Sequence, residues 1–337
     1  MKILVDVPVE QAALAVLQQS GRHEIDCISP PSSEAVRMLE PTRIRDIEVL
    51  FCDFPPSNLD DMRALKWIQV PSSGYTQLFG LDLPARGIVA TNSLGCFDVP
   101  IAEWNIAMMV NLARDIRQMI RHQDAAKWDR SAVFQREIRG STVGLWGYGG
   151  IGRETARLAR QLGLRVHAMT RSGIKPRGDV YLVPGTGDPE GVIPDRVFRA
   201  GEELEFLGGL DFLIVALPLT KVTEGLIGER ELHALPPTAY LLNPARGPIV
   251  QEQALLRALR ERWIAGAALD THYYYPMPPE HPLWRIPNVI FTPHISGSNL
   301  SPRFKERVWE IFTQNIARFV RGEPLLNSLT PTQLAGL

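Results

Sequence analysis

Thr142-Val-Gly-Leu-Trp-Gly-Tyr-Gly-Gly-Ile-Gly-Arg153 is the stretch that decides the fold. A short apolar strand, Val143 to Trp146, runs into Gly147-Tyr-Gly-Gly-Ile-Gly152. A helical pattern follows, with Ile151, Leu158 and Leu162 on one side and Arg153, Arg157 and Arg160 on another. This is G-x-G-x-x-G in the strand–turn–helix context that gives the motif its meaning. Gly147 permits the tight turn, Gly149 lets the backbone approach a pyrophosphate, and Gly152 lets the helix pack on the strand. The free N–H groups and positive end of the helix then face the anion. Tyr148, Gly149, Gly150 and Ile151 are therefore candidate cofactor contacts.

Outward from this motif, the strands Val143–Trp146, Arg165–Met169, Phe212–Ala216, Ala239–Leu242, Gly266–Leu269 and Val289–Phe291 make the six of a complete dinucleotide fold. Between the second and third lies Ser172–Phe206, rich in Pro and Gly, too long for an ordinary connection and expected to be an ordered excursion or flap. Upstream, Lys2–Val7, Glu24–Ser29, Glu48–Phe51, Trp67–Val70 and Ile88–Thr91 read as strands, with helices at Val9–Gln19, Ser32–Leu39 and Leu59–Leu65. This alternation predicts parallel strands joined by crossover helices. Pro100 opens a helix from Ile101 to about Arg121 that is apolar on nearly all sides, as expected of a buried helix partly covered in a homodimer. The last helix, Pro302 to about Arg321, is expected to return to the first domain. The fold class is α/β, with two Rossmann-like or flavodoxin-like domains of parallel strands: 1–98 plus 298–337 for substrate, and 99–297 for dinucleotide.

The 337 residues suffice for two cores, and 45% hydrophobic with 22% charged residues is ordinary soluble composition. A formal net charge of −1 gives no global field to recruit nucleic acid or an anionic membrane. Cys27, Cys52 and Cys96 have no C-x-x-C spacing and read as buried thiols of a reducing compartment, not as a zinc site. The N-terminus meets a charge too early for a signal peptide, and no apolar run spans a bilayer. The expected location is the cytoplasm, with no metal.

Four further stretches carry a resemblance: Leu217-Pro-Leu-Thr220, Asn243-Pro-Ala-Arg-Gly247, Gly266-Ala-Ala-Leu-Asp270 and Thr292-Pro-His-Ile-Ser-Gly297. In this order, each at a strand end, they resemble the D-isomer-specific 2-hydroxyacid dehydrogenase family. Pro278-Pro-Glu-His-Pro-Leu-Trp284 is most similar to its glyoxylate/hydroxypyruvate reductase branch. The resemblance implies an interdomain cleft with site residues at the carboxyl ends of strands. It also implies cofactor contacts at Leu217, Pro218, Thr223, Pro244, Ala245, Arg246, His294 and Gly297, and places Asp270 near the nicotinamide carboxamide. It implies a substrate carboxylate bound by backbone N–H groups of the loop Pro71-Ser-Ser-Gly-Tyr75, at Ser73 and Gly74. The chemistry agrees: Arg246 offers a planar fork for carboxylate and carbonyl oxygens, and His294 can exchange a proton near neutrality.

One position departs from the family. A glutamate five residues after the aspartate, just before a proline, usually supports the catalytic histidine. This chain reads Asp270-Thr-His-Tyr-Tyr-Tyr-Pro276, which puts Tyr275 there. A phenol brings no full charge, so His294 should hold its proton less firmly and the reductase optimum should move to lower pH. Glu280 folding back or His272 joining a relay are alternatives. The Tyr273 and Tyr274 rings are read as packing over the cleft. Formate-dehydrogenase-like oxidation, and a dinucleotide-sensing protein of corepressor type, are the alternative functions.

After the second strand the chain reads His167-Ala-Met-Thr-Arg-Ser-Gly173, without the carboxylate that binds the ribose of NAD. Arg171, with Thr170 and Ser172, suits a 2′-phosphate, and Lys175 and Arg177 add charge. NADP(H) is therefore favoured over NAD(H), and the expected activity is reduction of a small 2-oxo acid to the D-2-hydroxy acid.

Overall fold

Apolar runs of three to five residues, separated by polar turns, form two parallel sheets. The computed structural model describes residues 1–19, 21–30, 36–131, 135–178 and 180–336. In chain order the strands and helices are β1 (Lys2–Asp6), α1 (Gln11–Gln19), β2 (Glu24–Cys27), α2 (Pro41–Ile44), β3 (Val49–Cys52), β4 (Trp67–Gln69), β5 (Val89–Thr91), α3 (Asp98–Ala113) and α4 (Ile116–Asp124). They continue with β6 (Thr142–Trp146), α5 (Gly150–Gln161), β7 (Arg165–Met169), β8 (Arg196–Phe198), α6 (Glu203–Gly208), β9 (Phe212–Val215), α7 (Glu229–Ala234) and β10 (Tyr240–Asn243). The last are α8 (Glu252–Arg260), β11 (Gly266–Leu269), β12 (Val289–Phe291), α9 (Pro302–Arg321) and α10 (Pro331–Leu334). They divide into two compact units.

The first unit holds Met1–Phe97, a short stretch around Tyr181 and the chain from Asn299 onward, so α9 belongs to it. Its sheet runs β2-β1-β3-β4-β5, all pairs parallel. Alternate residues serve opposite faces. Ile3, Val5, Phe51 and Trp67 pack with Trp309 and Phe312 of α9, while Leu4, Leu50 and Ile68 pack with Ile44, Met62 and Leu78. A parallel sheet covered on both faces needs such unbroken apolar strands.

Two expected helices differ here. Leu59–Leu65 is only the 3₁₀ turn Leu59–Asp61, because the Asn58 side chain clamps the backbone of Leu39 at 3.0 and 2.9 Å and leaves no helix cap. In Ser32–Leu39, residues 36–39 are not helical, and 32–35 lie outside the described residues. Cys27 is exposed, contrary to expectation, because it ends an edge strand; Cys52 and Cys96 are buried.

The second unit holds Asp98–Gly178 and Pro184–Ser298. Its sheet is seven-stranded, not six: β12-β11-β10-β9-β6-β7-β8. The chain builds outward from β6 to β8, then returns to build from β9 to β12, so strand order reverses between β6 and β9. The added strand β8 lies inside the Ser172–Phe206 excursion and pairs with β7. That excursion is bound down. Asp188 accepts from the Tyr148 hydroxyl at 2.7 Å and from the N–H groups of Gly191, Val192 and Ile193. Arg153, buried in α5, donates to the carbonyls of Tyr148, Lys175, Asp188 and Pro189.

The helix expected from Ile101 to Arg121 breaks in two. Asp115 adopts φ 46° and its carboxylate accepts from the Gln118 N–H at 3.3 Å, capping α4. Aspartate tolerates the left-handed region because its short side chain can bond locally. Nor is α3 buried all round: Ala102, Asn105, Met109, Leu112 and Ala113 face inward, whereas Ala107 and Val110 are exposed. No helix among the described residues is long and apolar enough to cross a membrane.

Candidate active site

The carboxyl ends of the strands in the second unit bring most of the expected site residues together. The glycine turn lies directly after β6, at the strand-order reversal. Gly147 has φ 104°, and a Cβ there would sit 2.4 Å from the Ala216 carbonyl oxygen, so the turn admits only glycine. A Cβ on Gly149 would meet nothing within 4 Å, so the space in front of it is open. Gly149 is the N-cap of α5 and offers no capping side chain, which leaves the first-turn N–H groups to an anion. The Tyr148 side chain turns away, with its hydroxyl on Asp188, and contributes backbone only. These features fit a pyrophosphate.

After β7, the Thr170 hydroxyl accepts from the Gly173 N–H at 3.0 Å and shapes the turn. Arg171 and Ser172 are exposed there, and Arg171 has no ion-pair or hydrogen-bond partner among the described residues. A guanidinium that sequence reasoning missed stands beside them: Arg199, just after β8, lies 3.9 Å from where a Gly173 Cβ would be. No local pattern points to it, because Arg196-Val-Phe198 has two exposed residues and is a strand only through its pairing with β7. After β9, Leu217 packs against the Gly147 turn, and the Thr223 hydroxyl donates to the Pro218 carbonyl at 2.7 Å.

The chemical end is built from the turns after β10, β11 and β12. Asn243 shapes the first, accepting from the Ala245 N–H at 3.1 Å and donating to the Arg246 carbonyl at 3.0 Å; Arg246 emerges exposed. Asp270 is fully buried. One oxygen accepts from the Thr292 hydroxyl at 2.6 Å and the Ile295 N–H at 2.9 Å, the other from the Ser296 N–H at 3.0 Å. Its visible work is thus to hold the turn that presents His294, which itself has φ 58°. The His294 imidazole sits below its ordinary pKa, first through partial removal from water and then through the nearby Arg246 guanidinium; Asp270 partly offsets both.

Tyr275 stands beside His294, with ring centroids 5.6 Å apart and planes at 60°. Its hydroxyl does not bond the imidazole; it accepts from the His272 N–H at 3.1 Å. His272 is buried, donates from Nε2 to the Thr292 carbonyl at 2.7 Å, stacks on Phe291 and lies with its ring 6.1 Å from that of Tyr275, so its Nε2 proton is committed to a carbonyl and not to a relay. Tyr273 is tied to the Val250 carbonyl, and Tyr274 reaches Glu252. Glu280 is no substitute for the missing carboxylate. It lines a cavity of about 980 Å³ at the amino ends of β10–β12, the opposite end of the sheet from His294.

In the first unit, the loop after β4 is shaped by side chains. Asn92 donates to the Ser73 carbonyl and the Ser72 hydroxyl to the Gly74 carbonyl, both at 2.7 Å. The N–H groups of Ser73 and Gly74 donate to nothing among the described residues.

Residues 106–296 match the family described as D-isomer specific 2-hydroxyacid dehydrogenase, NAD binding domain. The chain is 32% identical to the glyoxylate reductase of Thermofilum pendens over 302 residues, which is 87% of this chain and 83% of that protein. It is 30% identical to the glyoxylate reductase of Thermococcus gammatolerans, over 87% of this chain and 86% of that one. A solved D-isomer specific 2-hydroxyacid dehydrogenase family protein from Aeromonas salmonicida superposes with a TM-score of 0.77 at 26% identity, covering 98% of each chain. The Xanthobacter autotrophicus Py2 2-hydroxyacid dehydrogenase, solved with NADPH and MES, gives 0.74 at 25% identity over 98% of this chain and 99% of that one.

Proposed function

From the premise that this chain belongs to the D-isomer specific 2-hydroxyacid dehydrogenase family, we propose that it is an NADPH-dependent reductase of a glyoxylate-like or hydroxypyruvate-like 2-oxo acid. It is an oxidoreductase of the nicotinamide-dependent kind that interconverts 2-oxo and 2-hydroxy acids. When bound, the reduced dinucleotide supplies a hydride to the carbonyl carbon. The chain's own residues do the rest. The glycine turn and the first N–H groups of α5 hold the pyrophosphate. Arg171, assisted by Arg199, Thr170 and Ser172, binds the 2′-phosphate. Arg246 polarises the carbonyl and binds the carboxylate. His294 carries the proton to or from the substrate oxygen.

One observation carries the reading: a guanidinium and an imidazole stand at the carboxyl ends of β10 and β12, either side of β11 in one sheet, close enough for Arg246 to lower the pKa of His294. We further infer a cytoplasmic homodimer in which a second copy covers Ala107, Val110 and the half-buried Trp104, Ile106 and Met108 of α3. The test is a panel of 2-oxo acids with NADPH and NADH followed by absorbance, with dinucleotide binding measured in parallel. Arg246→Ala should abolish turnover and keep dinucleotide binding. Arg171→Asp should weaken NADPH about 10- to 100-fold while NADH changes little, as expected for loss of a charged hydrogen-bond partner. Equal loss for both cofactors refutes the 2′-phosphate assignment, and full turnover in Arg246→Ala refutes the site.

A further inference from the structure

His294 is unusual for what does not surround it. Within the second unit its charged and titratable neighbours are Arg246, Asp270, His272 and Tyr275. Asp270 uses both oxygens on Thr292, Ile295 and Ser296. The His272 proton on Nε2 is committed to a carbonyl. Tyr275 offers the imidazole its ring and turns its hydroxyl to the His272 N–H. No carboxylate accepts a hydrogen bond from His294 among the described residues; of the two full charges nearby, Arg246 repels an imidazolium and the Asp270 carboxylate offsets this only in part.

We propose that position 275, filled by an uncharged ring whose hydroxyl faces away, leaves His294 a neutral imidazole, so that this site accepts a proton from a 2-hydroxy acid at neutral pH and delivers one to a 2-oxo acid chiefly in acid. This rests on His294 being the proton-transfer group of the proposed site. In oxidation the hydroxyl proton passes to the imidazole, the hydrogen on C2 leaves with its bonding pair for the oxidised dinucleotide, and the C–O bond becomes C=O. Reduction is the reverse and begins from the imidazolium. Above the pKa of the imidazole, reductive kcat/KM therefore falls about tenfold per pH unit, while oxidative kcat/KM levels off. The imidazole sits below its ordinary value, first through partial removal from water and then through Arg246, so the fall begins at a lower pH than for a free imidazole.

The experiment uses the full-length chain with Tyr275→Glu and Tyr275→Phe. Reductive kcat/KM with glyoxylate and oxidative kcat/KM with glycolate are measured from about pH 5 to 9. Imidazole protonation is read separately by ¹⁵N NMR titration of dinucleotide-free protein, with His294 assigned from His294→Gln. His294 of the unaltered chain should titrate below 6.5, its ordinary value. In Tyr275→Glu the NMR titration and the reductive limb should move up together by about one to two pH units. Tyr275→Phe should leave both in place, because the hydroxyl serves the His272 N–H and not the imidazole. The proposal is overturned if the unaltered His294 titrates above its ordinary value, or if Tyr275→Phe moves it as far as Tyr275→Glu does. Full reductase activity in His294→Gln would instead remove the proton-transfer role from which the proposal starts.

Discussion

Replacing Asp270 by asparagine tests how the site is held. The carboxylate is fully buried and receives three hydrogen bonds: two on one oxygen, from the Thr292 hydroxyl and the Ile295 N–H, and one on the other, from the Ser296 N–H. Asparagine is nearly the same shape but keeps only one acceptor. Its better orientation points the amide oxygen at Thr292 and Ile295 and sets an NH₂ against the Ser296 N–H, donor facing donor. Ser296 is buried, so water does not replace the lost partner. One orphaned buried donor costs about 1–3 kcal/mol, and loss of charge from the other two bonds about 1 kcal/mol more. The expected destabilisation is therefore about 2–4 kcal/mol, read as a lowered midpoint of urea unfolding at constant pH. Because the same turn presents His294, kcat/KM should fall about 100-fold where the protein is still folded, as for a misplacement of about 1 Å. Thr292→Val, which removes one of the three bonds, should cost only about 0.5–1.5 kcal/mol. An Asp270→Asn protein within about 0.5 kcal/mol of the parent and with unchanged kcat/KM would show that the carboxylate is not what holds the turn.

Two further outcomes follow from the second unit's turns and buried imidazoles. Gly147→Ala places a Cβ 2.4 Å from the Ala216 carbonyl at φ 104°, so dinucleotide binding by fluorescence titration should be lost, and unaltered affinity would disprove the cradle. His167 and His272 have pKa values lowered first by burial, which makes the folded state the weaker binder of protons. Their contribution is fully present above about pH 6.5 and is lost as pH falls through the folded values; a urea midpoint that rises from pH 7 to 5 would contradict this.

What could be read from residues alone follows physical lines. β6, β7 and β9 to β12 were legible because strands buried in a parallel sheet must be apolar runs. β8 was not. Arg196-Val-Phe198 is three residues long with Arg196 and Val197 exposed, and only pairing with β7 makes it a strand. The break between α3 and α4 was equally silent, since Arg114-Asp115 contains neither glycine nor proline and the turn is made by one aspartate capping its own next helix. The folding-down of the excursion depends on Asp188 and Arg153 meeting across 35 residues of chain, which no local pattern records.

At the site, Arg246 and His294 could be named in advance because each closes a strand in a short motif, and strand ends of such sheets are where ligands bind. Their protonation could not, because it is decided by directions, not identities. Pro276 fixes the register that puts Tyr275 beside His294, but whether the phenol reaches the imidazole or turns back depends on a backbone N–H three residues earlier, at His272. Asp270 likewise carries a charge near His294 and yet has both oxygens occupied in shaping the turn. An imidazole's working pH is set by what its neighbours still have free to offer. With partial desolvation and Arg246 outweighing the Asp270 charge, and the Tyr275 hydroxyl facing elsewhere, the extra proton on His294 is disfavoured, and a single carboxylate at position 275 is the smallest change expected to favour it.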